Sequence, residues 1–245
     1  MNPHQTVEKM QAMRMKTMAS LYHQAITENT YSDMSFDEFI AMLIDREWEA
    51  RRQRRITNLI SAAGLKAGAS PQDIDYTTQR GLDKNYFQCL LSLEFVKNGE
   101  SLIMTGPSGV GKSYLAQAIG YQTCQMLMKT RYFITARLFD QAKLSRLEGE
   151  WLKLLKQLRK TQLLILDDFG LHSMDQNDRQ CLLDLIEERH QQATTIICSQ
   201  IPVANWHEVI GEGTVADAIL DRIVHTSHRI ELEGESLRKK TTLKT

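Results

Sequence analysis

The chain has 245 residues, with 30 Lys+Arg against 30 Asp+Glu and 42% hydrophobic residues. Such a balance fits a folded chain with a sizeable core and excludes a disordered polyelectrolyte, so any affinity for nucleic acid must come from where cations sit rather than from their sum. No apolar run approaches the ~20 residues of a membrane span, the stretch from Met1 to Met10 lacks a signal-peptide core, and the four cysteines form no CxxC pair; a reduced cytoplasmic protein without a zinc site is expected.

In chain order, Val7, Met10, Met18, Leu21, Tyr22 and Ala25 recur at helical spacing. A second helix opens at Ser35, which with Glu38 has the S-x-x-E form of a capping box. Its apolar face is expected to be Phe36, Phe39, Ile40, Leu43, Ile44 and Trp48, and it runs into the basic stretch Arg51, Arg52, Arg54 and Arg55. The glycines and proline between Gly64 and Pro71 interrupt this pattern. A domain boundary is placed there, giving a helical domain over 1–66 and a second domain over 67–245.

The texture then changes. Ser101–Thr105, Tyr132–Thr135, Leu163–Leu166 and Thr194–Cys198 are short buried-strand candidates separated by helical stretches. Alternation of this kind indicates an α/β core with a parallel sheet covered on both faces.

The segment Gly106-Pro107-Ser108-Gly109-Val110-Gly111-Lys112-Ser113 fits G-x-x-x-x-G-K-[ST] at every fixed position, after a strand and before a helix. Its glycines let the backbone wrap a phosphate at a helix N-terminus. Lys112 would face the β- and γ-phosphates of ATP, and the Ser113 hydroxyl would join a Mg²⁺ shell. Asp167 and Asp168 close an apolar strand, where a carboxylate needs a metal or hydrogen bonds to compensate its burial. Asp167 is placed to hold Mg²⁺ through water and Asp168 to orient the attacking water; a helix or loop cap is the other reading of Asp168.

With these motifs in view the chain resembles the AAA+ ATPases, and within them the IstB family of transposition helpers and its relative, the DnaC helicase loader. The blocks that carry the resemblance are Leu163 to Gly170, Ser199-Gln200-Ile201-Pro202 with Asn205-Trp206-His207-Glu208, Asp217 to Arg222, and Gly234 to Arg238, together with Glu47-Trp48-Glu49 before the arginines. The resemblance implies a P-loop AAA+ core behind a small all-helical domain. Of the polar pair Ser199/Gln200 it makes Gln200 the sensor of the γ-phosphate, Arg222 an arginine finger offered to a neighbouring subunit, and Arg238 a second sensor; a surface arginine is the other reading of Arg222 and Arg238. Ile74-Asp75-Tyr76 stands where such ATPases hold adenine. Two departures matter. Asp168 replaces the usual Glu, which implies slow hydrolysis, and little chain follows Arg238, so a C-terminal lid is largely absent.

The implied activity is ATP hydrolysis by a homo-oligomer with shared sites that binds double-stranded DNA without regard to sequence and assists a transposase. DNA contacts are expected at Arg51, Arg52, Arg54 and Arg55, and at Lys143 and Arg146 within the basic segment from Arg137 to Lys160; a solvated face laced with Glu47 and Glu49 is the other reading of the arginine run. A helicase loader, a monomeric small-molecule kinase and a nucleotide-gated module that does not hydrolyse remain as alternatives.

Overall fold

The computed structural model describes residues 3–31, 33–66, 68–211, 213–224 and 227–237. These fall into two units, 1–58 and 59–245. The division lies inside a continuous helix, a few residues before the boundary expected at 66.

The first unit contains α1 (Pro3–Ala12), α2 (Lys16–Glu28) and most of α3 (Phe36–Ala63). The Ser35/Glu38 capping box forms: Glu38 N–H donates to the Ser35 hydroxyl at 3.3 Å, and the Glu38 carboxylate accepts from Ser35 N–H at 2.8 Å. The single helical run expected before it is broken, with Arg14 at a left-handed φ of 61°. No glycine or proline causes this break. The buried Glu47 carboxylate on α3 accepts from the N–H groups of Thr17 and Met18 at 2.9 and 3.1 Å, so a side chain distant in sequence caps the start of α2. The apolar face expected on α3 is only partly buried. Leu43 is 1% exposed, but Phe36, Ile44 and Trp48 are exposed by 81%, 53% and 68%. At 28 residues, α3 is about 42 Å long and outruns the 13-residue α2.

The second unit is an α/β layer structure. After a 3₁₀ turn at Pro71–Asp73 come α4 (Lys84–Leu91), α5 (Glu94–Lys97), β1 (Leu102–Thr105), α6 (Lys112–Gln125), β2 (Thr130–Ile134), α7 (Thr135–Leu147), α8 (Trp151–Arg159), β3 (Leu163–Phe169), α9 (Gln176–Arg189), β4 (Thr194–Ser199), α10 (Trp206–Ile210), α11 (Gly213–Val224) and β5 (His228–Glu231). The sheet order is β2-β3-β4-β1-β5 and every pairing is parallel. The four expected strands all form, with β2 starting two residues earlier than its sequence signal. β5 has no such signal: in His-Arg-Ile-Glu only Ile230 is buried, too little apolar content to mark a strand.

Alternation along the strands sorts the two layers. Leu163 and Ile165 of β3 face the core formed with α4, α5 and α6, whereas Leu164 and Leu166 face the core formed with α7, α8, α9, α10 and α11. By the same parity Asp167 falls on the α6 side. The β3–β4 pairing then slips between Leu166 and Phe169, and Asp168 takes a φ of 55°. A bulge of this kind re-aims side chains at the end of a strand.

Candidate nucleotide site

β1 ends at Thr105 and the chain turns through the P-loop into α6, with Gly111 as the N-cap at φ 103°. A side chain at Gly111 would strike the Arg80 guanidinium, and one at Gly109 would strike Ser236, so both glycines are required by close approach as well as by φ. Lys112 is buried, and its ammonium donates to the carbonyls of Gly106 and Pro107 at 2.6 and 2.8 Å. The segment after β5 returns over the loop, where Leu237 N–H donates to the Gly109 carbonyl at 2.9 Å.

Between these elements lies a cavity of about 330 Å³. Ser108, Gly109, Gly111, Lys112 and Ser113 line one side; Asp73, Asp75, Arg80, Tyr114, Asp168, Gln200 and Leu237 line the rest. The size suits a small molecule, and the exposed N-terminus of a 14-residue helix suits an anion.

The structure thus brings Asp168 and Gln200 into the cavity with the P-loop. Ser199, the last residue of β4, is instead buried: its hydroxyl donates to Phe169 O at 2.8 Å and accepts from Ile201 N–H at 3.0 Å. Asp75 lines the expected adenine side, and hydrogen bonds from Thr77 and Thr78 hold its carboxyl well below the usual carboxylate range. Asp167 is 3% exposed. It accepts from the Tyr132 hydroxyl at 2.6 Å and from Asp168 N–H at 3.0 Å, and no Lys or Arg reaches salt-bridge distance of it among the described residues. A buried carboxylate with no Lys or Arg at salt-bridge distance among the described residues, one residue before the cavity-lining Asp168, fits a divalent ion. No group of three or more His, Cys, Asp or Glu among the described residues could hold a metal alone, so the ion would have to arrive with ligand oxygens.

Two residues of the site carry no motif in the sequence. Arg80, 5% exposed, donates to the carbonyls of Val110 and Asp75, each at 2.8 Å, and so ties the segment before α4 to the P-loop. Tyr132 is the other. Neither belongs to a contiguous pattern that could have singled it out.

Arg222 does not join this cavity. It donates to Glu187 at 3.1 Å and to Ala218 O at 2.8 Å, and its carbonyl lies 3.1 Å from His190 Nδ1. His190 precedes β4, so Arg222 stands at the N-terminal edge of the sheet, opposite the P-loop end. Arg238 lies outside the described residues.

The residues proposed for DNA differ in their surroundings. Arg51 and Arg54 meet Glu47 at 2.8 and 3.4 Å, while Arg52 and Arg55 are exposed and without a hydrogen-bond or ion-pair partner among the described residues. Lys143 bridges Asp175 and Asp178 at 2.9 Å each; Asp178 and then Asp175 raise its pKa to about 12. Arg146 meets Asp184 at 3.0 Å and lies over the Trp151 ring.

A phosphate-binding loop after β1, a buried aspartate closing β3 and a polar residue after β4, on a parallel sheet of this order, define a P-loop nucleotide-binding protein of the AAA+ type. The chain belongs to the IstB-like ATP binding protein family, which matches residues 8–245. It is 41% identical over 236 residues to the insertion sequence ATP-binding protein y4pL of Sinorhizobium fredii, covering 96% of each chain. It is 35% identical to the ATP-binding protein of insertion sequence IS1162 of Pseudomonas fluorescens, covering 80% of this chain and 86% of that one. Among solved structures it is similar in fold to the DnaC helicase loader, at 19% identity and a TM-score of 0.52, over 73% of this chain and 98% of that one. No helix among the described residues is long and apolar enough to cross a membrane.

Proposed function

We propose that the chain is the ATP-hydrolysing helper of a transposase, assembling on double-stranded DNA as a homo-oligomer whose ATP sites are shared between subunits. The observation that carries this reading is the separation of Arg222 from its own cavity. The cavity holds a phosphate loop, a water-orienting candidate in Asp168 and a γ-phosphate sensor in Gln200, but it lacks Arg222, which belongs to a neighbour's site in this reading. Family membership supplies the link to insertion sequences.

In this mechanism the N–H groups of the P-loop and Lys112 hold the triphosphate. Ser113 and Asp167 would hold Mg²⁺, which when bound would neutralise charge on the phosphates. Asp168 orients water toward the γ-phosphate, and Arg222 of the next subunit stabilises the charge that develops. Arg52 and Arg55 on α3 contact DNA phosphates, which position the protein without reading sequence.

Sedimentation with a slowly hydrolysed ATP analogue and duplex DNA tests the proposal. The expected result is a nucleotide-dependent assembly on DNA that captures an insertion-sequence transposase, and that the Lys112→Ala variant does not form. A chain that stays monomeric with analogue and DNA, yet hydrolyses ATP, overturns it.

A further inference from the structure

Asp167 and Tyr132 meet because of sheet register. β2 and β3 run parallel with Ile134 opposite Asp167 and Tyr132 opposite Ile165. Tyr132 lies two residues before Ile134 on the same face, so its ring reaches diagonally along the sheet and its hydroxyl arrives 2.6 Å from Asp167 Oδ2. The other oxygen, Oδ1, is held at 3.0 Å by Asp168 N–H, which the bulge at the end of β3 presents. The Asp167 side chain is hydrogen-bonded by nothing else among the described residues. Its torsion is therefore set by one side chain from β2 and one N–H from its own strand.

We infer that Tyr132 is a positioning residue of the nucleotide site, fixing the Asp167 carboxylate in the orientation that serves the Mg²⁺ of a bound Mg·ATP. This rests on the nucleotide-site reading given above. Partners of this kind orient a metal-serving side chain and are worth about 10–100-fold in metal affinity or activity. The donor is well suited to the task. Burial and then the neighbouring carboxylate push the phenol pKa up, which agrees with the hydroxyl donating to Asp167 at 2.6 Å. A role in packing alone is the competing explanation, since half-buried tyrosines commonly place their hydroxyl on a nearby acceptor. The two explanations separate on Mg²⁺.

The test uses the full chain and the Tyr132→Phe variant, which keeps the ring and deletes the hydroxyl. A fluorescent ATP analogue is bound first without metal and then titrated with Mg²⁺, and Mn²⁺ bound in the same complex is followed by electron paramagnetic resonance. The expected result is unchanged affinity for the metal-free analogue and a rise of about 10-fold or more in the Mg²⁺ needed for half-saturation. ATPase activity lost at low Mg²⁺ should return at high Mg²⁺. An unchanged Mg²⁺ requirement overturns the inference, whether or not the variant melts earlier. A double-mutant cycle with Asp167→Asn supplies a second criterion: Tyr132→Phe should add nothing once Asp167 is changed, and additive effects overturn the claim that Tyr132 acts through Asp167. Failure of the unaltered protein to bind Mg·ATP would instead remove the nucleotide-site reading itself.

Discussion

The helical unit and the nucleotide-binding unit treat a buried carboxylate in opposite ways. Glu47 in the first is surrounded by donors from its own unit: Arg51 at 2.8 Å, Arg54 at 3.4 Å and two N–H groups at the start of α2. Burial raises its pKa, but hydrogen bonds from Arg51 and from the N–H groups of Met18 and Thr17 outweigh this and leave the carboxyl below its usual value. Asp167 in the second has a phenol and one N–H but, among the described residues, no cation at salt-bridge distance. A buried anion supplied with cations by its own fold holds the fold together. One left without them has room for a cation brought by a ligand, as the proposed Mg·ATP site requires. The same contrast divides the arginines: those on Glu47 are engaged, whereas Arg52 and Arg55 are open to solvent.

The sharpest way to break the comparison is to remove the arginine that the nucleotide-binding unit keeps away from its own cavity. Arg222→Ala should leave ATP binding by a single chain intact and lower turnover by about 10³–10⁵. Mixing it with Asp168→Asn, which keeps Arg222, should restore part of the activity, as measured by phosphate release. A fully active variant would show that the finger lies elsewhere.

Next in size is Glu47→Ala. Loss of its charge-assisted hydrogen bonds should destabilise the helical unit by about 2 kcal/mol, read from urea unfolding, with ATP affinity unchanged. The sign of the pH dependence follows from the direction of the shift. Because the folded pKa is depressed, the stabilisation is present above the unfolded value of about 4.3 and is lost as pH falls through the folded value. The variant should lack this part of the acid destabilisation.

A smaller effect is expected for Arg52→Gln with Arg55→Gln. Stability should hold, and the slope of log affinity for duplex DNA against log salt should fall by about 0.9 for each of the two arginines that meets a phosphate. Replacing Arg51 and Arg54 instead would confound the measurement by disturbing Glu47. An unaltered slope would leave the pair as a solvated face. The smallest change concerns Asp167→Asn without ligand. With no cation to lose, its melting should move by no more than the equivalent of about 1 kcal/mol, while the response to Mg²⁺ disappears.

What the sequence disclosed follows from how locally each feature is encoded. The P-loop and Asp167-Asp168 are contiguous, because wrapping a phosphate and ending a strand are tasks for neighbouring residues. The parallel core was legible for the same reason, since β1, β3 and β4 are buried on both faces and read as apolar runs. The break between α1 and α2 was not, because its cap is Glu47, some thirty residues away. Arg80 and Tyr132 reach the site through tertiary approach and strand register, which no local pattern records. The exposed Trp48 and Phe36 mislead in the other direction: helical periodicity shows that a face is apolar, not that this chain covers it.

The left-handed backbone at Asp168 constrains what can be inherited there. A long or branched side chain at such a φ carries a penalty of about 1–3 kcal/mol, whereas Asp and Asn enter the region more readily because a short polar side chain can bond its own backbone. The short acid, which departs from the Glu usual in AAA+ ATPases, is thus matched to the bulge that presents it. The backbone alone would accept Asn or Gly here as readily as Asp, but only Asp also keeps the acid that orients water in the proposed mechanism. Glu at this φ would carry that penalty unless the β3–β4 register changed with it.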